Sequence, residues 1–234
     1  MRKGIRKHFF NENYFESIDT EDKAYWLGFI AADGCVTKSS RYNSYRLRIN
    51  LTSSDEDHLE KFLDCIESND IAIAVSEGSG FSKDSDKTTS YVTLNSFKLC
   101  SDLDKYNIHC KKSYDVELPN ISEELIPHYL RGFFDGDASY HYHYDKKSNR
   151  YRYSFEVVGA SKTMMVQIQK YLLSKNINTN IYTRKSKASD NTVYRLMTNS
   201  KKEMVKIIDL LYANSHIHLT RKFNKVNEIK SIAV

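Results

Sequence analysis

The chain carries one unusual segment twice. Tyr25-Trp26-Leu27-Gly28-Phe29-Ile30-Ala31-Ala32-Asp33-Gly34 and Tyr129-Leu130-Arg131-Gly132-Phe133-Phe134-Asp135-Gly136-Asp137-Ala138 both run from an aromatic residue, through apolar positions and a glycine, to a closing aspartate. The two closing aspartates lie almost half of the 234 residues apart. The residues downstream of each copy repeat as well: a short strand (35–39; 139–144), a polar turn (40–44; 145–150) and a second strand that opens with Tyr-Arg (45–51; 151–157). The second strands alternate apolar and polar residues with period two, the pattern of a sheet with one buried face. An amphipathic helical stretch comes next (58–63; 167–172), then two more strands (71–76 with 91–95; 177–184 with 192–198). Asn-Ser recurs before a further helix, as Asn95-Ser96 and Asn199-Ser200. Each half closes on Ile-His and then basic residues (108–112; 217–222).

A duplication of this length restricts the chain to an α+β fold of two pseudo-symmetric halves, each α-β-β-α-β-β-α. Residues 1–19 form a basic arm, 20–118 the first half and 119–234 the second. The boundary falls near Leu118-Pro119-Asn120, after which a helix begins either at Ser122 as cap, with Glu123 and Glu124 in its first turn, or at the residue just before Pro127, which suits an N1 position. Hydrophobic residues make up 40% of the chain, with 17 Tyr and 11 Phe, so it can bury a core and is not a disordered tail. A net charge of +5 permits a polyanionic partner without requiring one.

Cys35, Cys65, Cys100 and Cys110 form no Cys-x-x-Cys pair, which argues against a zinc site or redox dithiol. The basic start, Arg2, Lys3, Arg6 and Lys7, has no apolar stretch behind it, and no apolar run approaches the ~20 residues that span a bilayer. A soluble intracellular protein is expected, cytoplasmic or encoded by a phage or organelle.

Gly28 and Ala32 are four residues apart and share a helix face, as do Gly132 and Gly136. Glycine inside a helix costs about 1 kcal/mol relative to alanine. Its use in both copies predicts that the two helices pack against one another with their backbones close. Asp33 and Asp137 then emerge side by side. A carboxylate at a helix C-terminus faces the negative end of the dipole, so a placement made twice needs compensation. A divalent cation between the two acids would supply it.

These residues resemble the LAGLIDADG homing endonucleases in their single-chain, two-motif form. The first copy matches the nine-residue signature at Leu27, Gly28, Ile30, Ala32, Asp33 and Gly34, the second at Leu130, Gly132, Asp135 and Asp137. Ala31 replaces the acid usual at the sixth position, which the second copy keeps as Asp135, and Ala138 replaces the final glycine. The resemblance implies a central helix pair and two antiparallel sheets that form a saddle on double-stranded DNA. It implies a monomeric, site-specific DNA endonuclease that cuts both strands of a long, weakly palindromic target and needs no protein partner or membrane. Phosphodiester hydrolysis requires an activated water and charge neutralisation on the phosphate and leaving oxygen, which divalent metals supply. Asp33 and Asp137 are the implied catalytic ligands of two or three Mg²⁺ (or Mn²⁺) ions, with backbone groups of Ala32, Gly34 and Gly136 nearby. Lys112 and Lys222, in the basic elements Lys111-Lys112-Ser113 and Thr220-Arg221-Lys222, are the implied catalytic cations.

Strand alternation sorts the DNA-facing side chains. With Leu47, Ile49 and Leu51 pointing inward, Arg46, Arg48 and Asn50 share the open face. With Tyr153, Phe155 and Val157 inward, Arg152, Ser154 and Glu156 are open. The preceding strands add Thr37, Ser39 and Arg41, then His141, His143 and Asp145, and the later strands Thr93, Arg184 and Arg195. Arginine suits guanine, asparagine adenine and glutamate the cytosine amino group. His141 with His143, and His216 with His218, have the strand spacing of a metal pair, yet no third ligand is near. The first pair is expected on DNA and the second on the surface. Tyr140, Tyr142 and Tyr144 take the opposite face and pack on a helix. The same scaffold could serve an RNA maturase assisting intron splicing, or a non-catalytic DNA-binding regulator. An intein is disfavoured by the ending Ser231-Ile232-Ala233-Val234.

Overall fold

A computed structural model of the chain describes residues 8–39, 44–68, 70–77, 88–185 and 192–233. Arg2, Lys3, Arg6, Lys7 and Arg41 lie outside the described residues. The first half runs α1 (Glu21–Asp33), β1 (Gly34–Lys38), β2 (Tyr45–Thr52), α2 (Glu56–Cys65), β3 (Ala74–Glu77), β4 (Thr88–Asn95) and α3 (Phe97–Asp104). The second runs α4 (Ile126–Asp137), β5 (Ala138–Asp145), β6 (Arg150–Gly159), α5 (Lys162–Ser174), β7 (Asn180–Lys185), β8 (Thr192–Thr198), α6 (Lys201–Tyr212) and α7 (Thr220–Ala233). The expected order holds in both halves, with one addition. The basic element that closes the first half is a single 3₁₀ turn (Lys112–Tyr114), whereas its counterpart opens the fourteen-residue α7.

Each half forms an antiparallel four-stranded sheet, in the orders β1-β2-β4-β3 and β5-β6-β8-β7. Apolar residues of the inward faces, such as Leu47, Ile49, Val92, Phe155, Val157 and Leu196, pack on the helices. The two Tyr-Arg dipeptides are not equivalent positions. Gly34 pairs with Ile49 and Ala138 with Val157, so the counterpart of Tyr45-Arg46 is Tyr153-Ser154. The β5–β6 hairpin is longer by two residues on this strand. Because two is the side-chain period, every residue keeps its expected face.

The repeated Asn-Ser is a capping signal. Ser96 Oγ accepts from Leu99 N at 3.1 Å and Ser200 Oγ from Glu203 N at 3.3 Å, opening α3 and α6. Ser96→Ala and Ser200→Ala should each cost about 1 kcal/mol, a fall of roughly 2–4 °C in Tm, as thermal melts of the two variants would show. Residues 8–19 do not project as an arm. Asn11 N donates to Ile66 O at 2.8 Å, and Tyr14 and Phe15 are buried in the first half's core. No helix among the described residues is long and apolar enough to cross a membrane.

Candidate active site

Helices α1 and α4 form the centre of the molecule, and α1 is apolar on all sides because it meets both α4 and its own half's core. The two helices meet at their glycines. A Cβ on Gly28 would land on the carbonyl oxygen of Tyr129, 2.8 Å from its carbon and 3.0 Å from Phe133 N. A Cβ on Gly132 would land on the carbonyl oxygen of Tyr25, 2.8 Å from Phe29 N. The crossing is reciprocal, as an approximate two-fold axis requires. One turn further on, a Cβ at Gly136 would lie 2.5 Å from the Ala32 Cβ and 3.1 Å from Asp33 Oδ2. The small faces expected at Gly28, Ala32, Gly132 and Gly136 thus lie at the helix contact and bring the last residues of both helices together.

Those last residues are Asp33 and Asp137. Burial raises the carboxyl of Asp33 above its ordinary range, against the pull of Lys222, Lys112 and Arg221. Asp137 is pushed up to about 6, first by desolvation in the surrounding protein and then by the charge of Asp33. Two acids that burial drives towards the protonated form, one of them pushed further by the other's charge, fit a divalent cation in a partly dry site. The carbonyls of Ala32 and Gly136 belong to the last helical turns, where no intrahelical donor reaches, and can add oxygen donors. Among the described residues no cluster of three or more His, Cys, Asp or Glu is arranged to hold a metal by itself. An ion at the two acids therefore draws the rest of its shell from water or from phosphate oxygens.

Lys112 and Lys222 are buried and occupy matching places. Lys112 Nζ donates to the Gly34 carbonyl at 2.5 Å, and Lys222 Nζ to the carbonyl of Ala138, each the residue after an aspartate. The Gly34 carbonyl is thus engaged by an ammonium. Desolvation lowers the proton affinity of both lysines, against the nearby aspartates. Cavities flank the acid pair on either side. One, of about 220 Å³, is lined by Ala31, Ala32, Lys112 and Asp137, and the other, of about 430 Å³, by Gly136, Ser139, Arg221 and Lys222.

The halves differ behind this symmetric front. Asp135 is fully buried and accepts from Tyr25 Oη at 2.8 Å, Tyr212 Oη at 2.6 Å and Leu219 N at 2.7 Å. Tyr25 Oη also meets His58 Nε2 at 2.9 Å. Since the tyrosine proton goes to Asp135, His58 must be the Nε2–H tautomer, and its Nδ1 has no partner. Burial holds His58 neutral, with its pKa down to about 3. Arg131, also buried, donates to Ile217 O and Leu211 O at 2.9 Å each and pairs with Glu21 at 2.5 Å. The matching positions in α1 are Ala31 and Leu27. Motif comparison missed Arg131, Tyr25, Tyr212 and His58; the signal present was a charged residue inside an apolar helix stretch, at Arg131 and Asp135.

The sheet faces carry the remaining candidates. Thr37, Arg46 and Asn95 form one cross-strand row on the first sheet, and Cys35, Arg48 and Thr93 the next. Arg48 stacks 3.7 Å over the Tyr91 ring and donates to Asn50 at 3.1 Å. Ser39 lies just past β1, half-buried, its N–H on Ser44 O. On the second sheet His141 pairs with Ser154 and His143 with Arg152, and these four line a depression with Arg150 and Lys201. Glu156 is paired with Arg195, and Arg184 is exposed on β7. Asp145 is occupied within its hairpin, accepting from Ser148 Oγ, Lys147 N and Arg152 Nε, which holds its carboxyl down at about 2. Tyr140 packs on Tyr212 of α6 and Tyr142 reaches Glu228 of α7, the helix contacts expected of the tyrosine series, but Tyr144 is exposed and bonds Asn149 within its own hairpin instead. His216 and His218 lie in the α6–α7 loop rather than on a strand, with His218 stacked on Phe223 at 3.8 Å.

Among curated proteins none matches the chain in sequence. Solved structures do match in fold. The homing endonuclease I-GzeII, in complex with its DNA target, superposes with a TM-score of 0.62 at 14% identity, over 93% of this chain and 90% of its own. I-WcaI bound to its DNA recognition sequence gives 0.58 at 14% identity, over 91% of each chain. I-DmoI in complex with DNA and calcium gives 0.56 at 16% identity, over 93% of this chain and 99% of its own. The family model of the LAGLIDADG-like domain matches twice, at residues 20–105 and 112–211. With two copies of that domain across most of its length, the chain belongs to the LAGLIDADG-like family.

Proposed function

We propose that the chain is a homing endonuclease: a monomeric, divalent-metal-dependent enzyme that hydrolyses both strands of a specific DNA duplex. The observation that carries this is the pairing of Asp33 with Asp137 at the reciprocal helix contact, each succeeded by a carbonyl that holds a buried lysine. Mg²⁺ or Mn²⁺ at the two acids supplies the Lewis acidity for water activation and for the leaving oxygen. The protein's own part is to hold the acids together, to keep them partly dry, and to set Lys112 and Lys222 where charge builds on the phosphate. The relatives support the partner: I-GzeII and I-WcaI are bound to DNA targets, and I-DmoI to DNA and calcium.

Arg46, Arg48, Asn50, Thr37, His141, His143, Arg152, Ser154, Arg184 and Arg195 are the proposed DNA-facing residues. Arg46 and Arg48 on one sheet face Ser154 and Glu156 at the equivalent positions of the other, so the two half-targets differ in sequence. Incubating a randomised duplex pool with the protein and Mg²⁺, then sequencing the cut ends, should return one long, weakly palindromic site, and chelation by EDTA should stop the reaction. Stimulated intron splicing with no DNA cut in the pool would replace this reading with a maturase.

A further inference from the structure

The two lysines reach equivalent carbonyls by unequal means. Lys112 belongs to a single 3₁₀ turn entered through Lys111 at a positive φ of 66°. Lys222 belongs to the first turn of α7, whose leading residue Leu219 gives its N–H to Asp135. Asp135 and the carbonyls that receive Lys222 Nζ, those of Phe134 and Ala138, all lie on α4 or at its end. Helix α7 is therefore tied to α4 at two points, its backbone at Leu219 and its side chain at Lys222. Asp135 is itself oriented by three donors, from α1 (Tyr25), α6 (Tyr212) and the head of α7 (Leu219), and Tyr25 is held by His58 of α2. At the matching place in α1, Ala31 has no group to do this.

We propose that Asp135 is a positioning residue for Lys222: its hydrogen bond to Leu219 N sets the seat of α7, and Tyr25 and His58 of the first half hold it in place across the interface. One half-site then depends on a buried network that spans both halves, and the other does not. Asp135 touches no reacting atom in this scheme. Its effect is on where one ammonium rests.

The test is lysine labelling in the metal-free full-length protein by reductive methylation, read at Lys222 and Lys112 by mass spectrometry. In Asp135→Asn, labelling of Lys222 should quicken roughly ten-fold, the scale of one lost hydrogen bond to a charged group, while Lys112 is unchanged. Tyr212→Phe removes one donor and keeps the ring, so it preserves the fold if Asp135→Asn does not, and should move Lys222 the same way by a smaller factor. An unchanged Lys222, or an equal rise at both lysines, overturns the proposal. Strand cleavage is the second readout and rests on the endonuclease reading. On a plasmid carrying the selected site, Asp135→Asn should slow one strand, accumulate nicked circles and leave KM unchanged. Equal slowing of both strands counts against it. A wild-type protein that cuts no DNA defeats the endonuclease reading, while the labelling still decides the role of Asp135.

Discussion

Replacing Asp33 and Asp137 together by asparagine is expected to abolish strand cleavage, to leave DNA binding in place, and to raise the thermal stability of the metal-free protein at pH 8. A metal held at two carboxylates contributes several kcal/mol at the transition state, so the loss should reach about three orders of magnitude or more. The effect on stability has the opposite sign because the acids are poorly placed for the fold alone. Both carboxyls have raised proton affinity in the folded chain, Asp137 up to about 6 by desolvation and by the charge of Asp33. Folding therefore takes up protons between the ordinary carboxylate range and pH 6. The stability linked to these groups is fully present below about pH 4 and is lost as the pH rises through 6. Melts of the wild type in EDTA should show this fall, and melts of Asp33→Asn/Asp137→Asn should not, so that the two curves separate towards pH 8 and meet near pH 4. Adding Mg²⁺ should restore the wild type, by about 2.7 kcal/mol at a hundred-fold excess over Kd, roughly 5–10 °C. The double variant should not respond. Cleavage that survives in the double variant, or an equal response of its Tm to Mg²⁺, would remove the acids from the mechanism.

Much of this site was legible because the repeat appears twice in one chain. Asp33 and Asp137 stand out only as a pair, and Lys112 and Lys222 are found only by their equivalence, since neither lysine is unusual by itself. The inward rows of Leu47, Ile49, Phe155 and Val157 came from the side-chain period, whereas Ser122, a cap by its sequence, makes no capping bond because it opens only a 3₁₀ turn and α4 starts at Ile126, beside Pro127. Comparison of the halves is blind where they differ. Arg131 stands opposite Leu27 and Asp135 opposite Ala31, so the buried groups that seat α7 carry no repeat signal. The Tyr-Arg dipeptides misled in the other way, since identical residues recur two positions out of register while the pleat keeps each on its face. Asp145 has a side chain suited to an open sheet face, but its own hairpin already uses the carboxylate, a contact that strand alternation cannot reveal.

Gly28→Ala and Gly132→Ala should each destabilise the protein by about 3 kcal/mol, lowering Tm by roughly 6–12 °C. The sign is what makes the result informative. In the middle of an ordinary helix the same change stabilises by about 1 kcal/mol, because alanine loses less backbone freedom on folding. Here the added methyl at either position must displace a backbone carbonyl of the opposite helix, Tyr129 for Gly28 and Tyr25 for Gly132, and a backbone cannot rotate aside as a side chain can. The helices must part, and the contact between halves loosens along its length. Because each methyl meets the other helix's backbone beside the other glycine, the two substitutions share one gap. Once the first has opened it, the second fits more easily, so the double variant should lose less than the sum of the singles. Gly136→Ala separates packing from chemistry. Its methyl meets the Ala32 Cβ and the Asp33 carboxylate at the edge of the contact, so it should cost less Tm than Gly28→Ala yet displace one acid of the proposed metal pair. Thermal melts of the four variants decide the matter. A rise in Tm for Gly28→Ala, or strict additivity in the double variant, would mean that the helices do not touch at their glycines and that nothing holds Asp33 beside Asp137.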